Sequence, residues 1–114
     1  MHELAVTEHI LDIALKHAQN ANALSVDEIY LVIGQLSSIV DDSIQFYWDI
    51  ISKDTICSQA KLHFNRIPAK LFCLDCKNEY AISAELTPCP LCNSINISVV
   101  AGEEFFLESI NISK

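Results

Sequence analysis

Four cysteines past the middle of the chain stand in two pairs of one form, Cys73-Leu-Asp-Cys76 and Cys89-Pro-Leu-Cys92, with twelve residues between the pairs. Two residues between cysteines let both sulfurs reach one metal ion while the amides of the loop face the thiolates. Two such knuckles supply four thiolates, the tetrahedral donor set of structural zinc. Four protein ligands also close the site, leaving no position for the water that a zinc hydrolase must activate. Metal binding of this kind supplies folding free energy of order 10 kcal/mol to modules too small to have a core. The competing readings, a pair of redox CxxC motifs or plain buried thiols, do not explain why two matched knuckles occur in one short stretch.

A second set of donors opens the chain. Met1-His2-Glu3 offers a free amine, an imidazole, a carboxylate and two backbone amides within three residues, and a closed thiolate site does not account for it. Cys57 lies outside both knuckles and reads as a small buried apolar residue. His9 falls on the polar face of the first helix, His17 at the margin of its apolar arc, and His63 on the polar side of a strand. None of these combines with a serine or cysteine and an acid in a nucleophilic arrangement. The sequence carries no Gly-rich phosphate loop, so a nucleotide-driven step belongs to a partner.

The 114 residues include 15 acidic and 7 basic side chains, a net charge of −8. That field repels a phosphate backbone, which argues against nucleic acid as a partner. No stretch approaches the roughly 18 apolar residues of a membrane span. The N-terminus lacks a basic region, and Glu3, Glu8 and Asp12 interrupt its apolar residues, so a secretory signal is not expected and a cytoplasmic location is. Five cysteines in that compartment point to metal or thiol chemistry rather than disulfides. Half the residues are apolar and two are glycine, the composition of an ordered globular chain.

These donors must be held by regular elements. Helical periodicity runs from Leu4 to about Ala18, with Leu4, Val6, Ile10, Leu11, Ile13, Ala14, Leu15 and Ala18 on one arc and Glu8, Asp12, Lys16 and Gln19 opposite. Asn20, Asn22 and Ser25 mark a loop. Glu28–Gly34 reads as a strand buried on both faces. A second helix begins near Asp41–Ser43, where acidic residues suit a helix start, and carries Ile44, Tyr47, Trp48 and Ile51. Lys61–Ile67 alternates as a strand closed by Pro68; Ile95, Ile97 and Val99 alternate as far as Gly102, and Phe105–Ile112 forms a last strand. The expected fold is α+β: a small β-sheet packed with two helices, plus an inserted zinc-ribbon-like four-cysteine module. Its domain division is 1–69 and 95–114 for the α+β part and 70–94 for the module.

The start Met1-His2-Glu3-Leu4, the stretch Ile33-Gly34-Gln35-Leu36-Ser37, the two knuckles and Gly102-Glu103 before the last strand occur in this order and spacing. Together they resemble the HypA/HybF family, the nickel-insertion proteins of [NiFe]-hydrogenase maturation, over essentially the whole chain. The resemblance implies Ni(II) as transient cargo at Met1, His2 and Glu3 in the α+β part, and structural Zn(II) at Cys73, Cys76, Cys89 and Cys92. The chemistry agrees with it. The Met1 amine, the deprotonated amide of His2 and its imidazole Nδ1 close fused chelate rings, and the amide nitrogen of Glu3 can complete a square plane suited to Ni(II) or Cu(II). Such a site requires Met1 to be deformylated and retained. The family commonly has glutamate after Gly34, where this chain has Gln35. Asp41 and Asp42 could add an oxygen ligand, or serve the helix start. The implied function is that of a metallochaperone, not an enzyme, working with a HypB-type GTPase and the hydrogenase large subunit, as a monomer or homodimer. The alternative is a zinc-ribbon protein-interaction adaptor without nickel transfer.

Overall fold

A computed structural model of the chain describes residues 3–82 and 86–114. Its elements are α1 (Glu3–Asn20), β1 (Ser25–Gly34), α2 (Asp41–Ile51), β2 (Lys61–Ile67), β3 (Ala69–Cys73), β4 (Glu79–Ile82), β5 (Ile97–Ala101) and β6 (Phe105–Ser113). They form two three-stranded sheets, ordered β2-β1-β6 and β4-β3-β5. The chain divides into two compact units, one of Met1–Leu31, Ser38–Asn65 and Leu107–Lys114, the other of Val32–Ser37 and Arg66–Phe106. Among the described residues no helix is long and apolar enough to cross a membrane.

In the first unit α1 buries Val6, Thr7, Ile10, Leu11, Ala14 and Ala18. Ala14 and Ala18 are fully buried, and α1 packs against α2. Glu8, Asp12, Lys16 and Gln19 are exposed as their positions demand. Leu4, expected on the buried arc, is instead 40% exposed. The arc centres on Ala14 and leaves Leu4 at its edge, while Thr7 joins the core by donating its hydroxyl to the Glu3 carbonyl at 2.5 Å. Helix α2 has no side-chain cap at Val40 but carries Asp41 and Asp42 in its first turn, where their charge offsets the positive end of the helix dipole. It buries Ile44 and Trp48, one turn apart. Ser52 ends it by directing both its N–H (3.0 Å) and its hydroxyl (2.6 Å) to the Trp48 carbonyl.

Strand β1 departs from the expected burial on both faces. Leu31, Val32, Ile33 and Gly34 are buried, but Glu28 and Tyr30 are only half-buried, because they carry a polar network. His63 of β2 sits with Nε2 2.9 Å from Glu28 Oε1, its ring stacked on Tyr30 at 4.6 Å between centroids. From β6, Asn111 donates its amide to Glu28 Oε2 at 2.9 Å and to the Tyr30 hydroxyl at 3.3 Å. A carboxylate on the central strand is thus bonded from both neighbours, which favours this order and register of strands. Asn111, then His63, hold the Glu28 carboxyl below its ordinary value of 4.5. A lowered value in the folded state means the network's stabilisation is complete above that ordinary value and is lost as pH falls through the folded one. Thermal midpoints measured from about pH 6 to about pH 3 should therefore fall more steeply for the wild type than for Glu28→Gln. Parallel curves would show that the carboxylate contributes nothing.

The second unit is built on β3. It pairs antiparallel with β4, from Ala69 opposite Ile82 to Phe72 opposite Glu79, and with β5, from Lys70 opposite Ala101 to Cys73 opposite Ile97, with a bulge between Lys70 and Leu71. Ala69, Leu71 and Ile82 form its core, covered by Leu36, Tyr80 and Ile97. The expected 70–94 module thus holds β4 and most of β3, while β5, which pairs with β3, lies beyond it. Ile95 is 83% exposed and outside β5.

Both glycines of the chain sit in this unit. A Cβ on Gly34 would lie 2.1 Å from the carbonyl carbon and oxygen of Gly102, and Gly102 itself has φ +117°, a backbone region that side-chain-bearing residues rarely adopt. Across this approach Leu36 N–H donates to the Gly102 carbonyl at 2.7 Å and Gly34 N–H to that of Glu104 at 2.6 Å. The Gln35 side chain is also used here: its Oε1 accepts the Ala69 N–H at 2.8 Å.

Candidate metal centre

The two knuckles fold alike because each repeats one set of backbone bonds. In the first, Cys73 N–H donates to the Asn78 carbonyl at 2.8 Å and Lys77 N–H donates back to Cys73 at 2.9 Å; in the second, Cys89 N–H donates to Ser94 at 3.0 Å and Asn93 N–H to Cys89 at 2.8 Å. Each turn closes through a left-handed residue, Lys77 (φ 62°) or Asn93 (φ 59°). Asparagine suits that conformation and lysine tolerates it at some cost.

This geometry gathers the four sulfurs that the spacing singles out. The Sγ atoms of Cys73, Cys76, Cys89 and Cys92 all lie within 4.8 Å of one another. Cys73 and Cys92 approach to 3.5 Å, as do Cys76 and Cys89. Four sulfurs around a zinc ion with bonds of about 2.3 Å would stand about 3.8 Å apart, so the cluster has the dimensions of such a site. All five cysteines are free thiols. The electrostatics fit a cation as well. The amide of Cys76, 3.5 Å from the sulfur, leads the contacts that lower the Cys73 thiol. Burial opposes ionisation of Cys89, but the amides of Cys92 and Leu91 together with the thiols of Cys76 and Cys92 outweigh it and bring that thiol down to about 6. Cys76 goes the other way, pushed up to about 12 by burial and by the thiols of Cys89, Cys73 and Cys92. The protein favours ionisation at some of the sulfurs and resists it at others; a divalent ion held by all four would supply the charge that ionises them.

The remaining candidates lie outside this cluster. Met1 and His2, the core of the expected nickel set, fall outside the described residues. Glu3 opens α1 as the acidic residue of its first turn, a favourable place for negative charge. Asp41 and Asp42 stand in the first turn of α2. Cys57 is fully buried, and burial raises its thiol to about 11, which makes it an inert core residue. His9 and His17 are exposed, and His17 lines a cleft with Ile13, Leu107 and Ile110. The Glu28–Tyr30–His63–Asn111 network was not foreseen; single polar residues on separate strands carry no spacing signal.

Two helices, two three-stranded sheets and a four-thiol cluster define a small α+β protein able to hold a tetrahedral metal ion. Residues 1–112 match the family HypA, described as hydrogenase/urease nickel incorporation, metallochaperone. The chain belongs to that family, as its four motifs anticipate, and the family is one of maturation factors rather than enzymes. Hydrogenase maturation factor HypA of Dehalococcoides mccartyi (strain CBDB1) is 43% identical over 112 residues, 98% of this chain and 94% of that protein. The HypA of Geotalea uraniireducens (strain Rf4) is 36% identical over 98% of this chain and 99% of its own. The fold is that of the Ni metallochaperone HypA from Helicobacter pylori in its solution structure, with a TM-score of 0.66 at 23% identity, covering 99% of this chain and 98% of that one.

Proposed function

We propose that this chain captures Ni(II) at its N-terminus, through Met1, His2 and Glu3, and delivers it for maturation of a [NiFe]-hydrogenase. Zn(II) at Cys73, Cys76, Cys89 and Cys92 fixes the shape of the module. The observation that carries this reading is the match to a nickel-incorporation family from residue 1 to residue 112, which includes the Met1-His2-Glu3 start. Among the described residues the four-cysteine cluster is the only group of three or more potential ligands brought together, and its soft thiolate set suits zinc. A nitrogen-rich, square-planar nickel site is supplied instead by the terminal amine, two amides and one imidazole. In this division of labour the closed thiolate site keeps its ion and the terminal chelate exchanges its own. Lacking a phosphate-binding loop, the chain depends on a HypB-type GTPase for any nucleotide-driven step, and the hydrogenase large subunit receives the ion, in the cytoplasm.

The test is a Ni(II) titration of the tag-free protein beside a version with one extra residue ahead of Met1. The extension is expected to abolish tight nickel binding while zinc stays at one per chain. Equal nickel binding by both proteins would remove the terminal amine from the ligand set and return attention to the zinc-ribbon adaptor reading.

A further inference from the structure

We infer that Asp75 is a positioning residue of the four-cysteine module, latching the first knuckle to the second through Ser94 so that the sulfurs stay grouped around their metal. The inference rests on the zinc reading above and concerns how that ion is kept.

Asp75 lies between the two cysteines of the first knuckle. Its carboxylate takes two hydrogen bonds from residues just past the second: the Ser94 hydroxyl donates to Oδ2, and Asn96 Nδ2 donates to Oδ1 at 3.2 Å. Both donors are themselves fixed. Asn96 N–H donates to Ser94 Oγ at 3.0 Å, Leu74 N–H to the Asn96 carbonyl at 2.9 Å, and Cys89 N–H to the Ser94 carbonyl at 3.0 Å. A continuous path therefore runs from the first knuckle through Asp75 and Ser94 to the backbone of Cys89. The link is one-sided. Leu91 holds the equivalent place in the second knuckle and is 73% exposed, although the backbone bonds of the two turns match.

The physical role follows from charge. Four thiolates repel one another, and any lapse in metal coordination lets the knuckles separate. Hydrogen bonds to an ionised carboxylate are about twice as strong as neutral ones, and this pair holds the turns together without using a sulfur. Side chains that orient metal ligands typically contribute 10- to 100-fold in metal affinity; the exposure of this link places it at the lower end.

The experiment uses the full-length protein carrying one zinc per chain and follows transfer of zinc to a chromophoric chelator. Asp75→Ala is expected to lose zinc about tenfold faster than the wild type, and Ser94→Ala in the same direction. The double variant should fall short of the product of the two single effects, since either change alone already cuts the Asp75–Ser94 link. Asp75→Asn should recover much of the wild-type rate, because its side-chain oxygen still accepts the Ser94 hydroxyl; general destabilisation of the module gives no such rescue. In the Co(II)-substituted protein, Asp75→Ala should also shift the thiolate-to-cobalt absorption. Wild-type rates in Asp75→Ala, or full additivity of the two single changes, overturn the inference while leaving the zinc reading in place. A wild-type protein that takes up no zinc overturns that reading and the inference with it.

Discussion

Replacing Cys89 with serine is expected to leave the purified protein with little zinc and to unfold the module around it. Cys89 is buried at the centre of the second knuckle, and two backbone amides already favour its thiolate. A serine hydroxyl stays protonated at neutral pH and replaces an anionic donor with a weak neutral one. The zinc of small modules is worth on the order of 10 kcal/mol of folding free energy, and the second unit has only a small core around Leu71 to fall back on. Zinc released on denaturation should drop well below one per chain, and the amides of β3, β4 and β5 should lose protection from hydrogen exchange. Cys57→Ser is the control: that side chain stands outside the cluster, so its zinc content should not change. Full zinc and full protection in Cys89→Ser would show that the sulfurs do not share an ion.

Gly34→Ala carries the second large effect, and its origin is steric. The added methyl would stand 2.1 Å from the carbonyl of Gly102 and 2.6 Å from the nitrogen of Glu103. Those atoms are backbone, so no rotamer change relieves the overlap. Moving the segment away sacrifices the hydrogen bonds from Gly34 to Glu104 and from Leu36 to Gly102. A substitution that forces backbone to part from backbone belongs to the upper tail of single-residue effects, about 4 kcal/mol or more. Urea unfolding should show the midpoint falling with little change in slope. A wild-type midpoint would mean that the Gly34 and Gly102 segments pass farther apart than described.

How much of this was legible in the sequence depended on whether a residue's neighbours lay along the chain or across it. The bounds of α1, α2 and β2 follow from apolar periodicity, from Asp41 and Asp42 at a helix start, and from Pro68 after Ile67. The grouping of the four cysteines is legible for the same reason, since two residues of spacing already determine whether sulfurs can meet. Strand β3 was missed because it follows β2 after a single residue, where Pro68 signals a stop; its buried positions Ala69, Leu71 and Cys73 do alternate. Strand β4 is four residues, Glu79–Ile82, too short to show a period. Glu28 looked like part of a doubly buried strand because its partners, His63 and Asn111, lie 35 and 83 residues away. Asp75 and Ser94, 19 residues apart, escape for the same reason.

The alternation of burial within each knuckle gives the thiolate site a front and a back. Cys73 and Cys89 are buried while Cys76 and Cys92 are exposed. An oxidant or competing chelator arriving from solvent meets the second cysteine of each pair first. The first cysteine of each pair is shielded from such attack by the fold itself.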